Sequence, residues 1–146
     1  MKYPTILLDL DGVVVDFFNK LIEVYNKRYN KTLTMQELDQ QFDHLDPNLV
    51  SIFNEEGWFL ELEPLPNAIE DVTELKKSGY KVFICTAPAR NLKGEINEES
   101  ISEKFKWIRC WLPNWGNEIV PIKFKDMVCG DIMLDDAPYN LMAWCD

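Results

Sequence analysis

Apolar residues fall into short continuous runs and into helically spaced sets along this chain. Four runs have strand length and predict buried strands, at residues 5–10, 80–85, 118–122 and 131–134. Helical spacing of apolar side chains predicts helices between them, beginning after Asp16, after Pro66 and at Ser100. Because strands that alternate with helices form parallel sheets, the predicted fold class is α/β, a three-layer Rossmann-like parallel sheet with helices on both faces.

Two helix-start signals lie close together after the first predicted helix. Thr34 with Glu37 forms a capping-box pair, and Asp46 before Pro47 is a favourable N-cap with proline at the first helical position. They predict two short helices that interrupt the alternation of strands and helices. The predicted organisation is one domain over residues 1–146, with a core at 1–16 and 64–146 and a small helical cap at about 17–63.

Two similar signals predict how the helices of the core begin. Asn67 with Glu70 predicts the start of a helix that stops at Gly79, and Ser100 with Glu103 predicts the start of the next one.

Composition narrows the class of partner. The 146 residues carry a formal charge of −10, which argues against a nucleic acid polymer as partner but allows a small anionic substrate at a locally cationic site.

The four cysteines and the single histidine show no zinc or disulfide spacing, so reduced thiols are expected. No apolar run reaches the length of a membrane span and the N-terminus does not resemble a signal peptide, so we expect no membrane partner and a cytoplasmic location.

Two acids close the first predicted strand. Asp9 and Asp11 precede Gly12, which permits a sharp turn that would aim both carboxylates at the carboxyl edge of the sheet. There, one acid can bind a metal and attack phosphorus while the other exchanges a proton with the leaving oxygen and with water. A Ca²⁺ loop of the EF-hand type is excluded, because it would need glycine at Val14 and glutamate at Lys20.

Polar residues at the ends of later strands complete a candidate site. Thr86 follows the run YKVFIC and can hold phosphate oxygens, and Lys125 can offset the charge of a phosphate. Asp135 and Asp136 end the run DIMLDD and supply the hard oxygen ligands that Mg²⁺ prefers. Each feature is common alone, but their conjunction indicates a phosphate site with a divalent cation.

The order of these motifs resembles a known family. DLDGVVVD, ICTAP, Lys125 and LDDAP resemble the four ordered motifs of haloacid dehalogenase (HAD) phosphohydrolases. The segment GWFLELEPLP at 57–66, followed by FICTAP, more narrowly resembles the 5′(3′)-deoxyribonucleotidases. The resemblance implies a HAD-like fold with a cap inserted after the first strand. It also implies a Mg²⁺-dependent phosphatase that dephosphorylates nucleoside monophosphates through an aspartyl-phosphate.

The resemblance also assigns roles to individual residues. Asp9 would be the nucleophile and a metal ligand, and Asp11 the general acid and base, binding metal through its backbone carbonyl. The remaining implied residues are the phosphate ligands Thr86, Lys125 and Lys104, the metal ligand Asp135 with Asp136 bound through water or in support, and the base pocket of Phe17, Trp58 and Phe59.

Two departures from the family pattern stand out. Ala87 occupies a position where the family usually has serine or another small residue, and alanine there removes one possible hydroxyl contact to phosphate. The chain also ends ten residues after Asp136, where relatives commonly continue with another strand and helix. An exposed sheet edge is therefore expected, which a second subunit could cover in a homodimer. A minimal relative with weakened activity is the other interpretation.

Three other functions remain open on the sequence alone. The nearest is a phosphatase of the same class that acts on another small phosphate ester, such as a sugar phosphate. A phospho-accepting or binding module also gathers acids, a threonine and a lysine around Mg²⁺, but its acceptor lies on a later strand and it has no helical insertion. The third is a catalytically quiet structural relative.

Overall fold

Four parallel strands form the centre of the molecule. The computed structural model describes residues 3–41 and 43–145, and its strands are β1 (Thr5–Leu8), β2 (Lys81–Thr86), β3 (Ile119–Pro121) and β4 (Ile132–Leu134). They form one sheet in the order β3-β2-β1-β4, with every pairing parallel. The predicted α/β fold class is confirmed, and β1 lies at the centre with a neighbour on each side.

The helices lie between and after these strands. In the described ranges they are α1 (Phe17–Tyr29), α2 (Met35–Gln40), α3 (Pro47–Phe53), α4 (Ala68–Lys77), α5 (Glu98–Trp111) and α6 (Pro138–Cys145), with 3₁₀ turns at Phe59–Glu61 and Lys125–Met127. Helices α1 to α3 are inserted between β1 and α4, as the capping signals indicate. A separate role for residues 17–63 as a cap remains a prediction.

Local capping signals have mixed outcomes. The Thr34–Glu37 capping box is present at the start of α2, and Asp46 accepts a hydrogen bond from the backbone N–H of Asn48 at 2.8 Å. The cap predicted at Asn67 with Glu70 is wrong in its mechanism. Asn67 does precede α4, but it has a left-handed backbone and its side chain makes no capping hydrogen bond.

The start predicted at Ser100 is also wrong. Helix α5 begins at Glu98, so Ser100 and Glu103 lie inside it. Ser100 Oγ instead accepts from the backbone N–H of Ala89 at 3.0 Å and donates to the carbonyl of Asn97 at 2.6 Å. Its polar group is therefore used to hold the loop after β2 and not to open the helix.

One hydrophobic core joins the sheet to the inserted helices. Side chains of successive strand residues face opposite sides of the sheet, so Ile6 and Leu8 of β1 share one face and Leu7 takes the other. Ile6 and Leu8 belong to the same buried cluster as Ile84 of β2. The same cluster contains buried side chains from α1, α3 and α5, namely Leu21, Ile52, Trp107 and Ile108. The inserted segment is thus packed onto the sheet.

The edge at β4 is open. Ile132 and Leu134 are 40% and 42% exposed, which agrees with the expected exposed sheet edge. Beyond this strand the structure adds helix α6. None of its described side chains is buried, so its sequence lacks the apolar face by which a packed helix is predicted. Within the described ranges, no helix has the length and apolar character needed to span a membrane.

Candidate active site

The parallel register brings the predicted site residues to one edge of the sheet. Leu8 pairs with Ile84 of β2 and with Leu134 of β4, so the acids that follow β1 and β4 are neighbours. The backbone N–H of Asp9 continues this pairing by donating to the carbonyl of Leu134 at 2.9 Å. Asp9 and Asp135 therefore lie side by side at the carboxyl ends of their strands, where α/β sheets bind ligands.

Lys125 joins these two acids. Its Nζ donates to Asp9 Oδ1 at 2.7 Å and to Asp135 Oδ2 at 2.5 Å, and its side chain is 2% exposed. Asp9 Oδ1 also accepts from the backbone N–H of Leu10 at 2.8 Å. The two donors fix the direction of the Asp9 carboxylate and leave its other oxygen toward the remaining acids.

Three carboxylates form a group with the chemistry of a cation site. One oxygen each from Asp9, Asp135 and Asp136 lies within 4.8 Å of the others. Carboxylate oxygens are the ligands that hard divalent cations prefer, and like charges this close repel each other unless a cation or a proton lies between them. The donor set present here fits a divalent cation.

The protonation of these groups reflects the crowding of charge. Burial, with the charges of Asp11 and Asp135, raises the pKa of Asp9 to about 7 although Lys125 opposes the shift. Burial is also the main cause of the raised pKa of Asp136. Burial alone would lower the pKa of Lys125, but Asp9 and Asp135 more than offset it and the pKa is raised. The lysine therefore remains charged. Near neutral pH a proton and a metal ion would compete for the carboxylate of Asp9.

Asp11 lies beside a second buried lysine. Lys104 of α5 donates to Asp11 Oδ2 at 2.6 Å, to Thr86 Oγ1 at 3.1 Å and to the carbonyl of Ala87 at 2.7 Å. The other oxygen of Asp11, Oδ1, is buried and has no hydrogen-bond partner among the described residues. This arrangement leaves one carboxylate oxygen of Asp11 free to accept a proton or a ligand.

Gly12 makes the close approach of the two acidic motifs possible. Its backbone φ of +79° is in the left-handed region, and a Cβ added there would lie 2.5 Å from Asp136 Oδ2. The turn after β1 can therefore pass against Asp136 only because this residue has no side chain.

The three predicted base-pocket residues are brought together. The Phe17 ring is stacked with Phe59 at a centroid distance of 5.9 Å and meets Trp58 edge-on at 6.2 Å. All three side chains are buried, and Trp58 Nε1 has no hydrogen-bond partner among the described residues. The cluster also touches the group formed by Asp11 and Lys104, because Lys104 Nζ lies 4.7 Å from the Phe59 ring centroid.

The predicted acids, lysines and threonine thus lie in one region, although in two groups, and the three predicted aromatic residues form a third group beside them. Asp9, Lys125, Asp135 and Asp136 surround the candidate cation site, while Asp11 lies with Lys104 and Thr86. The carboxylate of Asp11 is outside the three-acid group, and a metal contact through its backbone carbonyl remains a prediction.

Two supporting residues are absent from the sequence-based assignment. Asn140 of α6 donates to both oxygens of Asp135, at 3.1 Å and 3.0 Å, and so orients it. Proline three residues after Asp135 is a helix-start signal that could have placed this asparagine near the site. Glu103 binds two distant backbone N–H groups, and its local sequence carries no signal of that contact.

Comparison with known proteins identifies relatives over nearly the whole chain. The human mitochondrial 5′(3′)-deoxyribonucleotidase is 30% identical, in an alignment that covers 91% of this chain and 62% of that protein. The human cytosolic type is 29% identical, with coverages of 90% and 69%, and the mouse mitochondrial protein is 29% identical, with 91% and 64%. The chain therefore spans about two thirds of the length of these curated relatives.

A family model extends this result. The model described as 5′ nucleotidase, deoxy (Pyrimidine), cytosolic type C protein matches residues 3–145. Since only the terminal positions fall outside the match, the resemblance drawn from the motifs is confirmed and the chain belongs to the 5′ nucleotidase, deoxy (Pyrimidine), cytosolic type C family.

Proposed function

We propose that this protein is a Mg²⁺-dependent phosphatase that removes phosphate from nucleoside monophosphates through an aspartyl-phosphate on Asp9. The observation that carries the proposal is the position of Asp9, whose carboxylate is oriented by Lys125 and lies in one oxygen cluster with Asp135 and Asp136. A carboxylate held in this way can serve as a nucleophile toward phosphorus.

In the first step an oxygen of Asp9 attacks the phosphorus of the ester. The new bond to Asp9 forms as the bond from phosphorus to the ester oxygen breaks, and Asp11 gives its proton to that leaving oxygen. Lys104 and Thr86 lie next to Asp11 and supply donors for the phosphoryl oxygens, and Lys125 offsets the negative charge that develops beside Asp9.

In the second step water replaces Asp9 on phosphorus. Asp11, now a carboxylate, takes a proton from the water as its oxygen attacks, and the bond from phosphorus to Asp9 breaks. Inorganic phosphate leaves and both acids return to their initial states. The free buried oxygen of Asp11 is the atom suited to this proton transfer.

The residues that would hold Mg²⁺ are Asp9 and Asp135, with Asp136 in direct or water-mediated support. The bound cation would neutralise negative charge on the phosphate and hold its oxygens in place. Asn140 keeps Asp135 in position for this task through its two hydrogen bonds.

The aromatic cluster supports a nucleoside monophosphate as the substrate. Phe17, Trp58 and Phe59 form one cluster whose Phe59 ring contacts Lys104, so a nucleotide whose phosphate binds Lys104 would have these rings close to it for its base. The rings are packed on one another, so Phe17 must move away from Trp58 and Phe59 to admit a base. The relatives named above are 5′(3′)-deoxyribonucleotidases, which favours this class over sugar phosphates.

Location and assembly stay predictions. Relatives include both a cytosolic and a mitochondrial protein, and we propose the cytoplasm for this chain. The homodimer predicted from the open β4 edge rests on the exposure of Ile132 and Leu134.

Phosphate release from ribo- and deoxyribonucleoside monophosphates, with 2-deoxyribose 5-phosphate included, tests the proposal with and without Mg²⁺. We expect activity that requires Mg²⁺, and a loss of at least about a thousandfold in kcat for Asp9→Asn. Asp39→Asn, the same change at an exposed position of α2, should retain full activity. Turnover by folded Asp9→Asn at the wild-type rate would exclude covalent catalysis by Asp9.

A further inference from the structure

The segment that carries Trp58 and Phe59 is tied to helix α5 at both of its ends. At one end, the carboxylate of Glu103 accepts from the backbone N–H of Gly57 at 2.6 Å and of Phe59 at 3.0 Å. At the other end, Trp107 Nε1 donates to the carbonyl of Leu62 at 2.8 Å. Residues 57–62 are therefore held along one face of α5.

Glu103 is buried in a way that requires these bonds. Its side chain lies in the interior at 2% exposure, where a carboxylate is costly unless donors satisfy it. The donors are two backbone N–H groups that flank Trp58, so the two bonds fix the backbone on both sides of that residue. Trp58 in turn has a buried indole N–H without an acceptor among the described residues.

The next residue of the same helix serves the phosphate side of the site. Lys104 reaches Asp11 and Thr86, and its ammonium also lies against the Phe59 ring. Consecutive residues on a helix project about 100° apart, so α5 can present Glu103 to the aromatic segment and Lys104 to the reacting groups. Helix α5 thus sets the distance between residues 57–62, which carry the aromatic rings, and the reacting groups beside Lys104.

We propose that Glu103 is a positioning residue for recognition of the nucleobase, holding Trp58 and Phe59 at a set distance from the phosphate site. The proposal rests on the proposed nucleotidase function. Glu103 touches neither the acids nor the proposed phosphate ligands in the contacts described, so it acts through the backbone of the aromatic segment.

Glu103→Gln tests this role with little change in volume. The amide side chain keeps one acceptor oxygen but places an NH₂ group against a backbone N–H, so one of the two bonds is lost. We expect KM for a deoxyribonucleoside 5′-monophosphate to rise about five- to tenfold while kcat stays within about twofold. For 2-deoxyribose 5-phosphate, which has no base, both constants should stay at wild-type values.

Glu99→Gln is the matched control, because it makes the same change at an exposed position of α5. It should alter neither substrate's constants. Wild-type discrimination between the two substrates in Glu103→Gln would overturn the proposal, and so would an equal fall in kcat for both. If Glu103→Gln does not fold, Trp107→Phe loosens the other end of the segment and should lower the discrimination in the same direction; wild-type discrimination there would also overturn the proposal.

Amide hydrogen exchange separates this inference from the proposed function, since it needs no substrate. In Glu103→Gln at least one of the two N–H groups, that of Gly57 or that of Phe59, should exchange at least about tenfold faster than in wild type. Unchanged exchange would show that Glu103 does not hold the segment. Failure of the wild-type protein to hydrolyse any nucleotide would instead reject the proposed function, whatever the exchange result.

Discussion

Lys125 is the residue on which the two most buried acids of the site depend. The Asp135 side chain is fully buried and that of Asp9 is 11% exposed, and both bind the same ammonium group. Removing one partner of a buried ion pair leaves an uncompensated charge in the interior, which costs more than an exposed pair contributes.

Lys125→Met should therefore destabilise the fold. We expect a loss of roughly 3–5 kcal/mol in the free energy of unfolding in the presence of a chelator, measured by urea denaturation. Mg²⁺ should restore part of this loss, because a divalent cation neutralises the same carboxylates. The matched control is Lys20→Met, since the Lys20 and Glu23 side chains are 40% and 68% exposed and their pair should contribute under about 1 kcal/mol. Equal stability of the two variants would contradict the structural role given to Lys125.

At the scale of elements, the turn between β1 and α1 decides how closely the acids approach each other. Gly12 takes a positive φ and its backbone N–H donates to the carbonyl of Val15 at 2.9 Å. Any side chain at this position would meet Asp136 and the ring of Phe18. The turn is therefore constrained by space as well as by backbone conformation.

Gly12→Ala should weaken cation binding as well as stability. The backbone conformation alone should cost about 1–2 kcal/mol, and displacement of Asp136 should lower Mg²⁺ affinity roughly tenfold or more, measured by calorimetric titration. Gly94→Ala separates the two effects, because Gly94 has a φ of +76° but no neighbour within 4 Å of an added Cβ. Similar Mg²⁺ affinity in both variants would show that contact with Asp136 does not matter.

Elements whose signals are local were predictable, and contacts between distant elements were not. The Thr34–Glu37 box forms because both partners lie within one helical turn. Ser100 and Glu103 have the same spacing, yet long-range donors at Ala89 and Gly57 take their oxygens. A capping pattern competes with any tertiary donor that reaches it, and the sequence does not show which donors will be near.

The site followed the same rule. Acids and the threonine at strand ends were predictable because parallel strands place their carboxyl ends together. The division into an Asp9 group and an Asp11 group was not, since it depends on how far Lys104 and Lys125 reach. Helix α6 and Asn140 were missed because the helix has little amphipathic character and buries none of its described side chains.

At the scale of the whole molecule, a strongly acidic chain surrounds the site at which we propose that an anionic substrate binds. The formal charge is −10, yet two lysines with almost no exposure face the acids at the edge of the sheet. These lysines and a bound cation would reverse the local field, while the remaining surface stays acidic. Binding of a cation at this site should therefore change the stability of the whole fold and the protonation of the acids that surround the cation.

That coupling predicts a specific pH dependence of Mg²⁺ stabilisation. In the cation-free fold the pKa of Asp9 is raised from 3.8 to about 7, so between these values the folded state retains a proton that the unfolded chain releases. This contribution to stability is full below pH 3.8 and lost as the pH rises through about 7. Mg²⁺ must displace that proton, so its affinity, and the increase in Tm that it causes, should grow up to about pH 7 and level off above it. Thermal unfolding at pH 5.5 and pH 8 with and without Mg²⁺ measures the difference, and Asp9→Asn should abolish most of it. An equal Tm increase at both pH values in wild type would show that Asp9 does not exchange a proton for the cation.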